Sequence, residues 1–424
     1  MLTRVEGEGG LTVRVAEGQV KGVELNIFEP PRLFEALLRG RALEETPDIT
    51  ARICGICPVA YQMSAVHALE AALGVTISPE IRRLRRLLYC GEWIESHALH
   101  IYLLHAPDFF GCASGLELAQ RFPAEVRRGL RMKKHGNQIL EVLGGRPIHP
   151  INVAVGGFYR APRREELEAL LPDLAWGRDA AIATAQWVAE FDLPLVERDF
   201  DFVALRHPAE YAMNEGRIAS TSGLDIAADE YEQHFAEQQV PHSTALHSVR
   251  IGAERPYFVG PLARVMLNYQ QLRPAARQVA DELGLDCRNP YRSIVARAIE
   301  LIQAFDEAHE IVANYSPPQH SRKVYVPRVG EGCAATEAPR GLLYHRYAID
   351  NDGRLTFAKI VPPTSQNQWQ IERDLAELLP SILSWDDSRI ADACERAIRN
   401  YDPCISCSTH FLRVKIVRSA EQRT

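Results

Sequence analysis

Two Cys-x-x-Cys pairs stand out from the rest of the chain: Arg52-Ile-Cys54-Gly-Ile-Cys57-Pro58 near its start, and Asp402-Pro-Cys404-Ile-Ser-Cys407-Ser-Thr-His410 near its end. Each pair sets two sulfurs on one side of a turn, close enough to chelate a single ion. A bound thiol is deprotonated, so such a site selects zinc, copper(I), iron in clusters or nickel. Gly55 relaxes the first turn, and Pro58 suits the first position of a helix. Cys57 then lies at a helix N-terminus, where backbone N–H groups favour thiolate.

The pairs meet only if the fold closes on itself, because Cys404 lies 350 positions after Cys54. A structural four-cysteine zinc site is one reading, but zinc ribbons hold their pairs about 15–20 residues apart. Closing a loop of hundreds of residues costs only slightly more entropy than closing a short one. A buried reactive centre between the two ends of the chain gives that closure a purpose which a zinc clip lacks.

Further short motifs accompany the cysteines: Arg4-Val-Glu6-Gly7, Arg32-Leu-Phe-Glu35, Glu95-Ser-His97-Ala-Leu-His100, Glu337-Ala-Pro339-Arg340-Gly341 and Val361-Pro-Pro-Thr364-Ser-Gln-Asn367. Together with R-I-C-G-I-C-P and D-P-C-I-S-C-S-T-H, they resemble the large subunit of nickel–iron hydrogenases over most of the chain. The resemblance implies that Cys54 and Cys404 are terminal nickel ligands, and that Cys57 and Cys407 also bridge to an iron carrying carbon monoxide and two cyanides. It implies heterolytic H2 cleavage, with a proton passed to Cys404 and then to Glu6. A carboxyl buried beside sulfur is a plausible acceptor, because desolvation raises its pKa.

By formal count such a centre carries a charge of about −2, so a permanent cation suits it, and the resemblance assigns that part to Arg340. It also sets Pro339 and Asp402 beside the centre and Asp108 in a canopy above it, and gives Thr364 a hydrogen bond to cyanide. A magnesium ion falls to Glu35, the Ile360 carbonyl and His410, as oxygen-seeking Mg²⁺ allows for the first two. His410 is implied to end the mature subunit, with Phe411–Thr424 a maturation extension removed by an endopeptidase. Two departures from the family pattern are Glu8 and Tyr61, each standing where the family generally has histidine.

No other cysteines have cluster spacing, so electrons require a partner iron–sulfur small subunit. The ending and the compact length resemble the NAD(P)-linked, sulfhydrogenase-type branch, which implies flavin/NAD(P)-reductase partners. The alternatives are an H2-sensing subunit on the same scaffold and a non-catalytic zinc-binding scaffold. The remaining cysteines, Cys90, Cys112, Cys287, Cys333 and Cys394, read as small core residues.

The elements that must position these groups are mostly helical. Net charge is −7, with both signs interspersed, so nothing marks a nucleic-acid or membrane surface. No apolar run reaches the roughly 18 residues of a membrane span. A start without a basic and apolar leader, and an odd number of cysteines, point to the reducing cytoplasm.

Alternation predicts one hairpin over Leu11–Val15 and Val20–Ile27, and the turn at Asn351-Asp-Gly353 marks another over Leu342–Ile360. Helices are predicted from Arg32 to about Arg39, Gln62–Leu73 capped by Gly74, Ile81 to about His105, Arg163–Leu170, Asp179–Phe191, Pro274–Leu283 and Ile294–Ala313. His97, His100 and His105 are read as packing or hydrogen-bonding groups. Gly144–Gly157 reads as a structural turn, and Asp199–Ser248 is polar and without clear period. The expected fold class is mainly α with peripheral antiparallel β-hairpins around a long-helix core, in one domain spanning residues 1–424.

Overall fold

The computed structural model of the chain describes residues 9–27, 31–253, 255–403 and 413–418. It begins with an antiparallel hairpin, β1 (Gly9–Ala16) and β2 (Gln19–Ile27). Glu17 and Gly18 form the turn with φ of 54° and 69°, the handedness that matches strand twist. Leu11, Val13, Leu25 and Ile27 point into the core, as the alternation predicted.

Helix α1 (Pro31–Leu38) carries Glu35. Helix α2 (Pro58–Leu73) starts with Cys57 at its N-cap and Pro58 in its first turn, and ends on Gly74 at φ 67°. Helix α3 (Pro79–Leu99) is capped by the Ser78 hydroxyl, which accepts from the Ile81 N–H at 3.3 Å. The single helix expected to about His105 instead widens into a π-helical turn over His100–His105. Such turns insert a residue and re-aim the side chains around it.

Helix α4 (Pro123–Gly144) packs along α3. Sequence periodicity did not reveal it, because basic residues and two interior glycines dilute its apolar face. One of those glycines explains the close packing. A Cβ on Gly136 would lie 2.7 Å from both the Glu95 nitrogen and the Gly91 carbonyl oxygen of α3, so backbone meets backbone there.

Helix α5 (Leu171–Ala189) follows. The polar Asp199–Ser248 stretch folds into short strands: Val203–Arg206, Arg217–Ser220 and Asp225–Ile226 in one sheet, then β3 (Phe235–Gln238) paired antiparallel with β4 (His247–Arg250). Strands this short leave little room for alternation to register.

Helices α6 (Pro261–Asn268) and α7 (Ser293–Ala313) come next, and α7 packs on α3 and α5. The predicted second hairpin is the latter part of a three-stranded meander, β5 (Gly330–Ala338), β6 (Gly341–Ile349) and β7 (Leu355–Val361). Its first two strands lie against α2. Helices α8 (Pro363–Ile382) and α9 (Asp387–Arg399) complete the helical body. Strand β8 (Arg413–Arg418) pairs parallel with β1, Gly10 opposite Arg413, so the two ends of the chain share one sheet.

The result is a long-helix core with small, mostly antiparallel sheets, matching the expected class. Among the described residues no helix is long and apolar enough to cross a membrane. The Gly144–Gly157 turn is structural: Arg85 of α3 grips Glu70 of α2 at 2.6 and 2.8 Å, and the same carboxylate accepts from the Gly156 N–H at 2.7 Å. Cys90, Cys112, Cys287 and Cys394 are buried, and with the half-buried Cys333 none forms a disulfide. Replacing Gly136 by Val should force α3 and α4 apart and cost about 3 kcal/mol, read as a lower denaturant midpoint at unchanged slope.

Candidate metal centre

The first cysteine pair occupies the turn that leads into α2. Cys57 donates its backbone N–H to the Cys54 sulfur at 3.2 Å, and both side chains are buried. The first N–H groups of a helix have no partner within it. Here Glu92 of α3 supplies one, accepting from Val59 at 2.6 Å and Ala60 at 3.1 Å. Burial nevertheless holds the Glu92 carboxyl well above the usual range, with Glu95 nearby adding to the effect.

Over the sulfurs lies Arg340. Its Nη1 donates to Cys54 Sγ at 3.6 Å and to Cys57 Sγ at 3.5 Å, while its Nε is 3.4 Å from Asp402 Oδ1. All four residues are at most 2% exposed. Asp402 sits at φ 48°, in a region that few residues other than glycine adopt.

The turn that delivers Arg340 is tightly specified. Gly341 has φ 136°, and a Cβ there would meet Val259 at 2.7 Å and the Gly260 nitrogen at 2.9 Å. Arg264 of α6 then clamps the turn from beneath, donating to the carbonyls of Ala338 at 2.8 Å and Pro339 at 2.9 Å and to Glu337 at 3.1 Å. Its other edge forms a two-pronged pair with Glu300 of α7, both contacts 2.7 Å, and its guanidinium lies 4.4 Å over the Trp93 ring.

Burial opposes charge on Glu300. Arg264 and the His97 ring at 2.9 Å outweigh it and hold the carboxyl down at about 2. Glu337 has fewer donors, the Leu205 N–H at 2.7 Å and one arm of Arg264, so burial wins and pushes it up to about 7.

A second cluster forms at β7. Glu35 accepts from the Ile360 N–H at 2.8 Å, and burial raises its carboxyl. Glu35, Arg32, Ile360 and Leu246 line a cavity with Glu237 of β3, whose carboxyl burial pushes up to about 7. Thr364 is buried in the first turn of α8. Asp108 forms an ion pair with Arg399 at 2.5 Å, and its carbonyl accepts from Arg396.

Thus Cys54, Cys57, Arg340 and Asp402 come together, with Pro339 held beneath them, and Glu35 meets Ile360 at a separate place. Asp108 pairs with Arg399, three positions before Asp402 in the sequence. Glu6, Cys404, Cys407 and His410 lie outside the described residues. The three histidines of the α3 end behave as packing groups: His97 pairs with Glu300, His100 bonds the Arg399 carbonyl at 3.0 Å, and the His100 and His105 rings pack 5.1 Å apart.

Residue patterns missed Glu92, Arg264, Glu300, Glu237 and His345. A charged residue inside an apolar helical run, as Glu300 stands in Ile294–Leu301, is a usable signal, because burying it demands a partner. His345 lies with its ring 5.8 Å from Tyr61 and its Nδ1 2.7 Å from the Tyr347 hydroxyl. An imidazole thus stands beside the tyrosine that replaces the expected histidine.

Two soft-ligand sulfurs under a buried guanidinium suit an anionic thiolate–metal centre, which the positive charge would stabilise. Comparison with known proteins agrees. A family model described as "Nickel-dependent hydrogenase" matches residues 32–128 and 251–410. The sulfhydrogenase 1 alpha subunit of Pyrococcus furiosus is 34% identical over 421 residues, 97% of each chain. The beta subunit of the NAD-reducing hydrogenase HoxS of Cupriavidus necator is 26% identical, over 97% of this chain and 94% of that one. Among solved structures, an NAD+-reducing [NiFe]-hydrogenase in the H2-reduced state superposes with a TM-score of 0.86 at 25% identity, covering 96% of this chain and 98% of that one.

Replacing Arg264 by Met should leave Glu300 and Glu337 buried without their cation and cost about 3–5 kcal/mol, seen in denaturant unfolding. A second prediction concerns acid. Burial lowers the His345 imidazole to about 3, against about 6.5 unfolded. The unfolded chain therefore binds the extra proton between these values, so this contribution is complete above pH 6.5 and is lost as pH falls toward 3. Within that window His345→Gln should flatten the stability–pH curve by about 1.4 kcal/mol per pH unit.

Proposed function

The chain belongs to the nickel-dependent hydrogenase large-subunit family and is an oxidoreductase acting on H2; from that premise we propose that Cys54, Cys57, Cys404 and Cys407 together hold its nickel–iron centre, for H2 ⇌ 2H⁺ + 2e⁻. One observation carries this reading. The guanidinium that donates to both sulfurs of the first motif also pairs with Asp402, and Asp402 precedes Cys404 by two residues. Two residues of chain reach at most about 7 Å.

When bound, the centre supplies the polarisation of H2 and the redox couple, its iron carrying carbon monoxide and two cyanides. The protein's own part is electrostatic and steric. Arg340 compensates the excess negative charge in a dry site, and Asp402 fixes the direction in which its donors point. The helix N-terminus and that cation favour thiolate at Cys54 and Cys57. Proton transfer runs from the Cys404 sulfur to the Glu6 carboxylate, a step supported by the R-x-E-G motif. Thr364 would donate to a cyanide of the bound centre, and Asp108 with Arg399 braces the surroundings.

Glu35, the Ile360 carbonyl and His410 would hold a magnesium ion. The meeting of Glu35 and Glu237 in one half-buried cavity supports it, because a dication relieves the cost of two carboxylates there. Electrons pass to an iron–sulfur small subunit, because no further cysteines of this chain have cluster spacing, and on through flavin/NAD(P)-reductase subunits, a coupling favoured by the likeness to a subunit of an NAD-reducing hydrogenase. An endopeptidase cuts after His410 once nickel is in place, and the complex works in the cytoplasm.

Metal analysis with an infrared spectrum of the purified complex tests the centre. Nickel and iron with CO and CN stretches are expected; zinc alone would refute it. Arg340→Lys keeps the charge but cannot reach both sulfurs and Asp402, so kcat should fall at least about 100-fold while nickel content stays at the wild-type level.

A further inference from the structure

Away from the cysteines, one group among the described residues has the chemistry and spacing to hold another ion. His242, His247 and Glu372 offer ligand atoms that all lie within 4.8 Å of one another. His242 Nε2 is 2.7 Å from Glu372 Oε1, His247 Nε2 is 3.9 Å from the same oxygen, and the two imidazole rings stand 5.7 Å apart at 79°. Tetrahedral ligands at about 2.0–2.1 Å from a zinc ion are separated by about 3.3 Å. The observed distances bracket that value, so small rotations of the side chains close the site.

A hydrogen-bonded His–Glu pair accounts for His242 but not for His247. That residue is 5% exposed, and its Nε2 has no hydrogen-bond partner among the described residues, although it lies 3.9 Å from the carboxylate. Leaving such a nitrogen bare in a buried position is costly unless something else engages it.

The three ligands come from rigid supports. His247 begins β4, Glu372 lies within α8, and His242 sits on the loop joining β3 to β4. That loop is sewn to the end of β2: the Ser243 hydroxyl donates to the Ile27 carbonyl at 3.1 Å, and Ala245 N–H donates to it at 2.9 Å. Gln368, one helical turn from Glu372, donates to Ser243 Oγ and to the Leu25 carbonyl. Glu372 itself accepts from the Leu25 N–H at 2.8 Å, which orients the carboxylate as outer hydrogen bonds orient metal ligands elsewhere.

We propose that His242, His247 and Glu372 form a separate mononuclear site for a divalent first-row cation of the zinc class, clamping the β3–β4 loop and β2 onto α8. With two imidazoles among three protein ligands, the site favours such an ion over magnesium or calcium, whose shells are dominated by oxygen. Three protein ligands leave one position for water.

The test uses the full chain, freed of loosely held metal by EDTA, titrated with zinc and examined by X-ray absorption at the zinc edge. The proposal expects one zinc per chain with an imidazole-containing nitrogen/oxygen shell, distinct from the sulfur shell near 2.3 Å of zinc on cysteines. His242→Ala and His247→Ala should each weaken that zinc at least about tenfold, and zinc should raise the thermal midpoint of the parent chain but not of the variants. His242 is partly exposed, so His242→Ala decides the matter even if His247→Ala fails to fold. Zinc found only on sulfur, no zinc retained, or a nitrogen/oxygen shell that survives both substitutions would overturn the assignment.

Discussion

A buried guanidinium must be surrounded by acceptors, and the position of Arg340 follows from that requirement. Two sulfurs and one carboxylate surround it, and they come from residues 54, 57 and 402. Because Arg340 cannot discharge itself by losing a proton, each of these segments is bound to it for as long as the site stays dry. Arg264 works in the same way one layer below. It binds the carbonyls of the consecutive residues Ala338 and Pro339 and is itself paired with Glu300 and Glu337. The pair form a column of buried positive charge whose counter-charges lie on α7, on β5 and at the chain's C-terminal side.

Helix α8 shows how the surrounding frame is assembled from neutral groups instead. Three consecutive amides at its start each bind a different backbone segment. Gln366 donates to the Leu342 carbonyl, Asn367 exchanges both bonds with Val259, and Gln368 donates to the Leu25 carbonyl. Amide side chains suit this work, since they satisfy buried backbone groups without the desolvation cost of a charge. The same helix sets Thr364 in its first turn and Glu372 further along, so its register positions both.

Much of this was legible in the residues alone. Cys-x-x-Cys followed by proline describes a turn entering a helix, and Cys57 is indeed the N-cap of α2. Alternation located β1 and β2, the Asn351-Asp-Gly353 turn located β6 and β7, and glycine marked the end of α2. What remained hidden was of two kinds. Short strands between residues 203 and 250 have too few residues for a period, and their pairing is set by contacts remote in sequence. Buried charges such as Glu92, Arg264 and Glu300 lie in helices where a charged residue ordinarily faces water; only their partners, 30 or more positions away, reveal the role. The cavity that joins Glu35 to Glu237 escaped for the same reason, as the two carboxyls are brought together by β3 rather than by any local motif.

The parallel ladder between β8 and β1 separates two events that a single cut would seem to merge. Hydrolysing a peptide bond ahead of β8 frees a fragment covalently, yet six register pairs from Gly10–Arg413 to Val15–Arg418 still moor it. Release of such a fragment would then require unzipping this ladder, a step with its own rate and temperature dependence.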